Sequence, residues 1–300
     1  MNILLTGSNG FVGQAVASRI KDYGIVIGLG RNPQNQCRDV AEYICADLAD
    51  EAAVSSLQEK TVDAIVHMAA NLDMSSENPH VLYDNVMGTY NLTRIAVKMG
   101  VKRFIYISSL PVVGTPEGES TQIIQEEQCP HPETVYHISK LAGEYLVELL
   151  RKQGIATTSL RIPSPIGKGM SQKTILSVFL ERAYKEEMIT LMGKGTRRQN
   201  YVDVRDIAEA VACSLNATTL SPCYNIVSKA TISNKELAER CIAALHSSSS
   251  INFQGVDLND SVDWKADGTK AEKELGFTPQ YQLEQTIEWM LPAMKEMRRE

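Results

Sequence analysis

The sequence predicts an α/β protein built on a doubly wound parallel sheet, with a smaller C-terminal part interleaved with it. Three observations carry that prediction. Short β-branched runs alternate with amphipathic segments through the first half, the pattern of a parallel sheet covered on both faces. The first apolar run, Ile3-Leu4-Leu5, opens into the glycine loop TGSNGFVG and then into a helix-like segment from Val12 to Lys21. Further on, Tyr136 and Lys140 stand one turn apart at the start of a long helical segment that runs to Arg151.

The glycine loop carries the first chemical expectation. The opening turn of a helix has backbone N–H groups without intrahelical partners and a partly positive dipole end, which together suit a phosphate. In the spacing GxxGxxG, Gly7 takes the tight turn out of the strand, Gly10 leaves no Cβ in the way of a pyrophosphate, and Gly13 lets the helix lie close on the sheet. A glycine turn with no ligand at all is the simpler reading of this stretch taken alone.

Composition narrows the rest. The chain has 300 residues and a formal net charge of −6, enough length for a well-buried core and the wrong sign for a polyanion partner. Apart from the short tail Lys295 to Arg299 no basic cluster stands out, so nucleic acid is not expected. The apolar runs are strand-length and none suits a membrane span or a signal peptide, which points to the cytosol. Six cysteines and five histidines form no CxxC pair and no metal-ligand spacing, so no metal is expected.

Taken in order, the second strand, Ile25 to Leu29, follows a helix closed at Gly24 and ends in Gly30-Arg31-Asn32. A ribose 2′-OH is usually met here by a carboxylate and a 2′-phosphate by a cation. The carboxylate is missing and Arg31 is next in line, so NADP(H) is favoured with NAD(H) still open, unless Arg31 is only a solvated loop residue. The third strand, Tyr43 to Ala46, closes at Asp47-Leu48, where Asp47 either accepts from an adenine amino group or simply forms a turn. Val62 to His67 is the fourth strand. It runs into Met68-Ala69-Ala70, small enough for a flat ligand to approach, and His67 reads as a satisfied core histidine. A helix is expected from Val81 to Met99 with Asn85 within it, then a fifth strand, Arg103 to Ser108, followed by Ser109. After an irregular stretch from Pro111 to Pro132 comes the Tyr136 helix. Lys140 projects from the same face as Tyr136, and a neighbouring ammonium would favour the phenolate of a residue whose ordinary pKa is ~10.

A glycine loop after the first strand, a serine after the fifth and Tyr-x-x-x-Lys on the next helix would all meet at the carboxyl edge of one parallel sheet. At this point the chain resembles the extended short-chain dehydrogenase/reductase family, the NAD(P)-dependent epimerase/dehydratase group. The likeness runs through TGSNGFVG, ADLAD, HMAA, NVMGTYNL, YISS, YHISK, LRIPSPIG, NYVDVRDIA and KAEKELGF in order. It implies a Rossmann-like sheet, and Ser109, Tyr136 and Lys140 as the catalytic triad. It also implies a cofactor lined by Gly7, Gly10, Phe11, Val12, Gly13, Arg31, Asn32, Asp47, Leu48, Met68 to Ala70, Asn85, Tyr136, Lys140, Ile162 and Pro163. Residues 1–162 would form the dinucleotide-binding domain, with 201–227 returning to its sheet, and 163–200 with 228–300 the substrate-binding domain.

Departures from the family pattern shape the function expected. Leu110-Pro111 stands where sugar-nucleotide dehydratases carry an acidic pair, which disfavours elimination, and where the reductase-epimerases of the GDP-fucose pathway carry a Cys, which argues against these too. Ser164 and Gln199 replace an Asn and an Arg of the usual nucleotide clamp, leaving Ser109, Ser164, Arg197 and Arg198 as substrate contacts, with Lys168 and Lys173 as further cations. The expected activity is a nucleotide-sugar epimerase working by hydride transfer. The alternatives are an NADPH-dependent carbonyl reductase and, behind it, a non-catalytic NADP-binding regulator. The resemblance further implies a homodimer through a four-helix bundle, for which Leu82, Tyr83, Tyr90 and Val97 on one helix, and Leu146 and Leu150 on the other, are the candidate faces.

Overall fold

The computed structural model describes residues 1–75, 78–116 and 123–296. The side chains of the basic tail at 295–299 lie outside the described residues. Alternation along the strands sets the architecture. Ile3, Leu5, Val26, Ala64, Val66, Ile105, Ile107 and Leu160 fall in one core. Their strand neighbours Leu4, Ile27, Leu29, Ile65, Phe104 and Tyr106 fall in a second core on the opposite face. With period 2 and both faces buried, such strands read in sequence as continuous apolar runs.

The strands β1 (Asn2–Thr6), β2 (Ile25–Gly30), β3 (Glu42–Cys45), β4 (Ala64–His67), β5 (Arg103–Ser109) and β6 (Ala156–Ile162) pair in parallel with Cys223–Asn225. The sheet order is Cys223–Asn225, β6, β5, β4, β1, β2, β3. The order reverses direction at β1, so β2 lies on one side of it and β4 on the other. That reversal opens a crevice beyond the carboxyl ends of the strands.

Helix α1 (Phe11–Ile20) and the helix Val204–Asn216 cover one face. Short α2 (Glu51–Ser55), α3 (His80–Leu82), α4 (Gly88–Lys98) and α5 (Val135–Glu148) follow in the chain. Gly24 closes a 3₁₀ turn, Lys21–Tyr23, rather than α1 itself. The single helix expected over 81–99 is interrupted by a π-helical turn, Tyr83–Met87. Asn85 lies buried in that turn, its amide donating to Asn71 O and Ser139 Oγ. Thr134 caps α5 by accepting from His137 N.

Within 201–227 only Cys223–Asn225 joins the large sheet, while Tyr201–Asp203 pairs with Ser164–Ile166. A third core gathers Ile166, Leu176, Phe179, Leu180, Ile189, Leu191, Leu237, Cys241 and Ile287. The C-terminal part does not all belong there: Ala271, Leu275 and Phe277 pack into the core of the large sheet. Asp203 ties the pieces together, accepting from Arg205 at its helix N-terminus and from Thr286 Oγ1 at 2.6 Å. Leu146 on α5 is half-buried, and Leu150, in the 3₁₀ turn Leu149–Gln153 that extends it, is buried in the core. The apolar residues that α5 and its 3₁₀ extension expose are instead Ile138, Tyr145 and Leu149.

Candidate active site

One cleft of about 770 Å³ runs along the carboxyl edge of the sheet, a size suited to a small-molecule ligand. Its floor is the glycine loop. Gly7 has φ 72, and a Cβ there would lie 2.9 Å from Ala69 N; a Cβ on Gly13 would stand 2.1 Å from Gly7 O. These two glycines let the loop, the chain after β4 and α1 approach one another. A Cβ on Gly10 would meet only Gly7 O, at 3.2 Å. The place of that missing Cβ is otherwise open, as a phosphate cradle requires.

Every residue expected in the site lines this cleft except Arg198. Arg198 is spent elsewhere, donating to Thr231 and paired with Glu236 and Asp263. Arg197 does reach the cleft, and Gln199, with its amide oriented to accept, takes two bonds of 3.1 Å from it. Lys168 lies over the Trp289 ring and, like Lys173, is not among the lining residues. Asp47 lines the cleft and also forms the turn, accepting from Ala49 N at 2.9 Å. Arg31 is not merely solvated: its Nη1 donates to Asp84 Oδ2 at 3.2 Å. An unpaired cation here would favour NADP(H) outright; the Asp84 carboxylate offsets that charge.

His67 is a core histidine, as expected. Thr89 Oγ1 donates to Asn85 O and so accepts from His67 Nε2, which leaves Nδ1 to accept from Thr6 Oγ1 at 2.7 Å. Thr6 Oγ1 in turn accepts from Met68 N and Ala69 N. Burial, with help from the Lys140 charge, pushes His67 down to about 3 and keeps it neutral. Its structural consequence is to fix the loop 68–70 against the end of β1.

Tyr136, Lys140 and Ser109 all line the cleft, but the electrostatics of Tyr136 and Lys140 differ from expectation. Burial pushes the Tyr136 phenol up to about 12. Lys140 is buried with Nζ 4.2 Å from the centre of the Tyr106 ring. Burial drives it down to about 7, with Glu144 opposing the shift. Burial therefore pushes both groups toward their neutral forms, against the phenolate that the sequence expectation depends on. The helix carrying them is anchored through Ser139 Oγ, which accepts from Asn85 Nδ2 at 2.9 Å and donates to Tyr136 O at 2.7 Å.

Several lining residues escaped the sequence reading: Asn9, Tyr43, Asn71, Asp84, Glu133 and His137. His137 follows Tyr136 directly, Glu133 precedes it by three residues and Asp84 adjoins Asn85, so closeness in the chain to motif residues was the available signal for these three. The His137 ring stands edge-on to Tyr136, centroids 5.3 Å apart, and burial holds it below the usual imidazole range. Glu133 is bonded by Thr115, which holds its carboxyl below the usual range and ionised. Leu110, where an acid would be needed for elimination, points into a separate apolar core with Val112 and Trp264. Among the described residues no cluster of metal-ligating side chains occurs, and no helix is long and apolar enough to cross a membrane.

The family described as NAD dependent epimerase/dehydratase family matches residues 3–227. A putative UDP-glucose 4-epimerase of Methanocaldococcus jannaschii is 27% identical over 226 residues, 71% of this chain and 73% of that protein. A uronate dehydrogenase of Pseudomonas putida is 31% identical over 198 residues, 64% of this chain and 70% of that one. Among solved structures, the UDP-glucose 4-epimerase of Thermotoga maritima with UDP-glucose has a TM-score of 0.87 at 23% identity, covering 99% of this chain and 100% of that one. The dTDP-glucose 4,6-dehydratase DesIV of Streptomyces venezuelae, with NAD bound, has a TM-score of 0.86 at 22% identity, covering 100% and 98%.

Proposed function

This chain belongs to the NAD dependent epimerase/dehydratase family and is an NAD(P)-dependent enzyme of it, and we propose that within the family it is a nucleotide-sugar epimerase. The observation that carries this reading is the single cleft running from Gly7 to Gly13, past Ser109, Tyr136 and Lys140, to Arg197 and Gln199. A dinucleotide fits one end of it, where the Gly10 cradle and the amino end of α1 would hold the pyrophosphate. A nucleotide sugar fits the other, with Arg197 and Ser164 toward its phosphates. Leu110 and the ionised Glu133 offer no protonated acid for losing water, which favours epimerisation over dehydration.

A bound nicotinamide supplies the acceptor and donor of hydride; the chain supplies the proton chemistry. Tyr136 Oη takes the proton of the sugar hydroxyl as the ketone forms and returns it after the sugar has turned, with Ser109 Oγ holding the reacting oxygen. Lys140 Nζ, in its protonated form, would favour the Tyr136 phenolate against the burial that opposes it. The part of the chain built on the third core would form the substrate-binding domain, interleaved with the dinucleotide part and reaching the cleft through Arg197 and Gln199. Arg31 admits NADP(H) as well as NAD(H). Two copies would pair through Leu82, Tyr83, Tyr90 and Val97 of one helix run and Ile138, Tyr145 and Leu149 of the next, all exposed in the single chain.

One observation favours a second reading, an NADPH-dependent carbonyl reductase: Gln199 stands where a nucleotide clamp would use an arginine, and only Arg197 takes its place. Incubation with UDP-, GDP- and dTDP-sugars, followed by NMR for inversion and by nicotinamide absorbance, separates the two. Inversion without net cofactor consumption is expected, and Tyr136→Phe should slow it by ~10²–10⁴-fold while binding cofactor. Stoichiometric oxidation of NADPH with no inverted sugar would replace the epimerase with the reductase.

A further inference from the structure

Because β2 and β4 flank β1, the crevice above the carboxyl end of β1 has two walls. One wall is the chain after β2, beginning with Arg31. The other is the chain after β4 and the π-helical turn that carries Asp84. The ion pair between Arg31 Nη1 and Asp84 Oδ2 crosses from one wall to the other, and both residues line the cleft.

Each end of that bridge is held in place. Tyr43 Oη donates to Asn32 O at 2.7 Å, and Asn9 of the glycine loop donates to Tyr43 Oη and to Gln34 O. Asn9 Oδ1 also accepts from Gln36 N and Cys37 N. The Arg31 wall is therefore tied to the loop proposed to hold the pyrophosphate. Opposite, Asn71 Nδ2 donates to the same Asp84 Oδ2 at 2.9 Å, while Asn71 and Asn85 exchange two bonds, N to Oδ1 at 2.6 Å and Nδ2 to O at 3.0 Å. The Arg31 and Asp84 side chains are 56% and 20% exposed. A pair so open to water does little for stability, and its position across the crevice suggests a different use.

We propose that Arg31 and Asp84 form a clasp across the dinucleotide crevice, and that Asp84 sets the balance between NAD(H) and NADP(H). The proposal rests on the dinucleotide reading of the cleft given above. With NAD(H) bound the clasp stays closed and slows release, which suits an epimerase that keeps its cofactor from one turnover to the next. A 2′-phosphate competes with the Asp84 carboxylate for the Arg31 guanidinium and is repelled by that carboxylate. NADP(H) therefore binds at the expense of the clasp.

The test uses the full chain with NADH, NAD⁺ and NADP⁺, measuring NADH release by stopped-flow displacement and both oxidised cofactors by calorimetry. Asp84→Asn, which keeps the Asn71 contact possible, should release NADH about two- to fivefold faster and shift the affinity ratio toward NADP⁺ by about tenfold. Arg31→Gln should release NADH equally fast but shift the ratio toward NAD⁺. The double variant should release it no faster than either single one. Unchanged NADH release or an unchanged ratio in Asp84→Asn, with wild type binding cofactor normally, overturns the clasp alone. A wild-type chain that binds neither cofactor overturns both the clasp and the dinucleotide reading beneath it.

Discussion

Lys140 shows how burial rewrites the chemistry that a spacing motif suggests. Tyr136 and Lys140 were legible as a pair because helical geometry alone puts them on one face. That both would be buried was not, since burial depends on Tyr106 and Asn85, which arrive from distant parts of the chain. The consequence is measurable as stability. Burial lowers Lys140 from 10.5 to about 7 in the folded chain, so between those values the unfolded state binds the extra proton. Stability therefore rises with pH across that window, and the full cost of the buried ammonium is present below it. Lys140→Met, studied without cofactor, should be more stable than wild type by on the order of 2–4 kcal/mol near neutral pH. Urea unfolding at a series of pH values should show that advantage shrinking toward pH ~10. An advantage that grows with pH, or none at all, would contradict a buried, depressed Lys140.

The glycine loop and α1 make the element where sequence and structure agree most closely, because a glycine spacing after a strand constrains backbone rather than distant packing. Its glycines nevertheless do different work. Gly13→Ala would drive a Cβ to 2.1 Å from Gly7 O, and calorimetry or urea unfolding should show a loss of about 2–4 kcal/mol. Gly10→Ala meets only Gly7 O, at 3.2 Å. It should fold with a change below about 1 kcal/mol yet bind NAD⁺ at least about tenfold more weakly, its methyl standing in the phosphate cradle. Equal stability losses in the two variants would remove the distinction. The helix over 81–99 was legible only as helix. Its π-helical turn lies where Asn85 meets partners across the fold, which no local pattern reveals. The outward apolar residues of α5 and its extension differ from those expected: Leu150 follows Gly143 and Val147 at helical spacing onto the buried side, and Ile138, Tyr145 and Leu149 take the exposed one.

For the chain as a whole, the order of motifs was enough to place the sheet and the cleft, whereas the ends of the cleft depend on long-range pairing. Arg197 and Arg198 are adjacent in sequence, yet only Arg197 faces the ligand space, because the strand at Arg198–Gln199 and the partners Thr231, Glu236 and Asp263 claim its neighbour. The exposed apolar face formed by Tyr83, Tyr145 and Leu149, each more than half exposed, should be covered in solution by a second copy. Light scattering at tens of micromolar should give a dimer, and Tyr145→Lys with Leu149→Lys should weaken it by about tenfold or more; a monomeric wild type would contradict this. The central claim is that the carbon oxidised in the cleft is the carbon restored, with inverted configuration, before the cofactor leaves. The direct measurement is to incubate the enzyme with a nucleotide sugar deuterated at the inverted carbon, in the presence of excess unlabelled NAD⁺, and to follow the label by NMR and mass spectrometry. Epimerisation predicts an inverted product that keeps its deuterium at that carbon, with none in the free cofactor; deuterium lost to the cofactor pool, or a product whose configuration is unchanged, would contradict it.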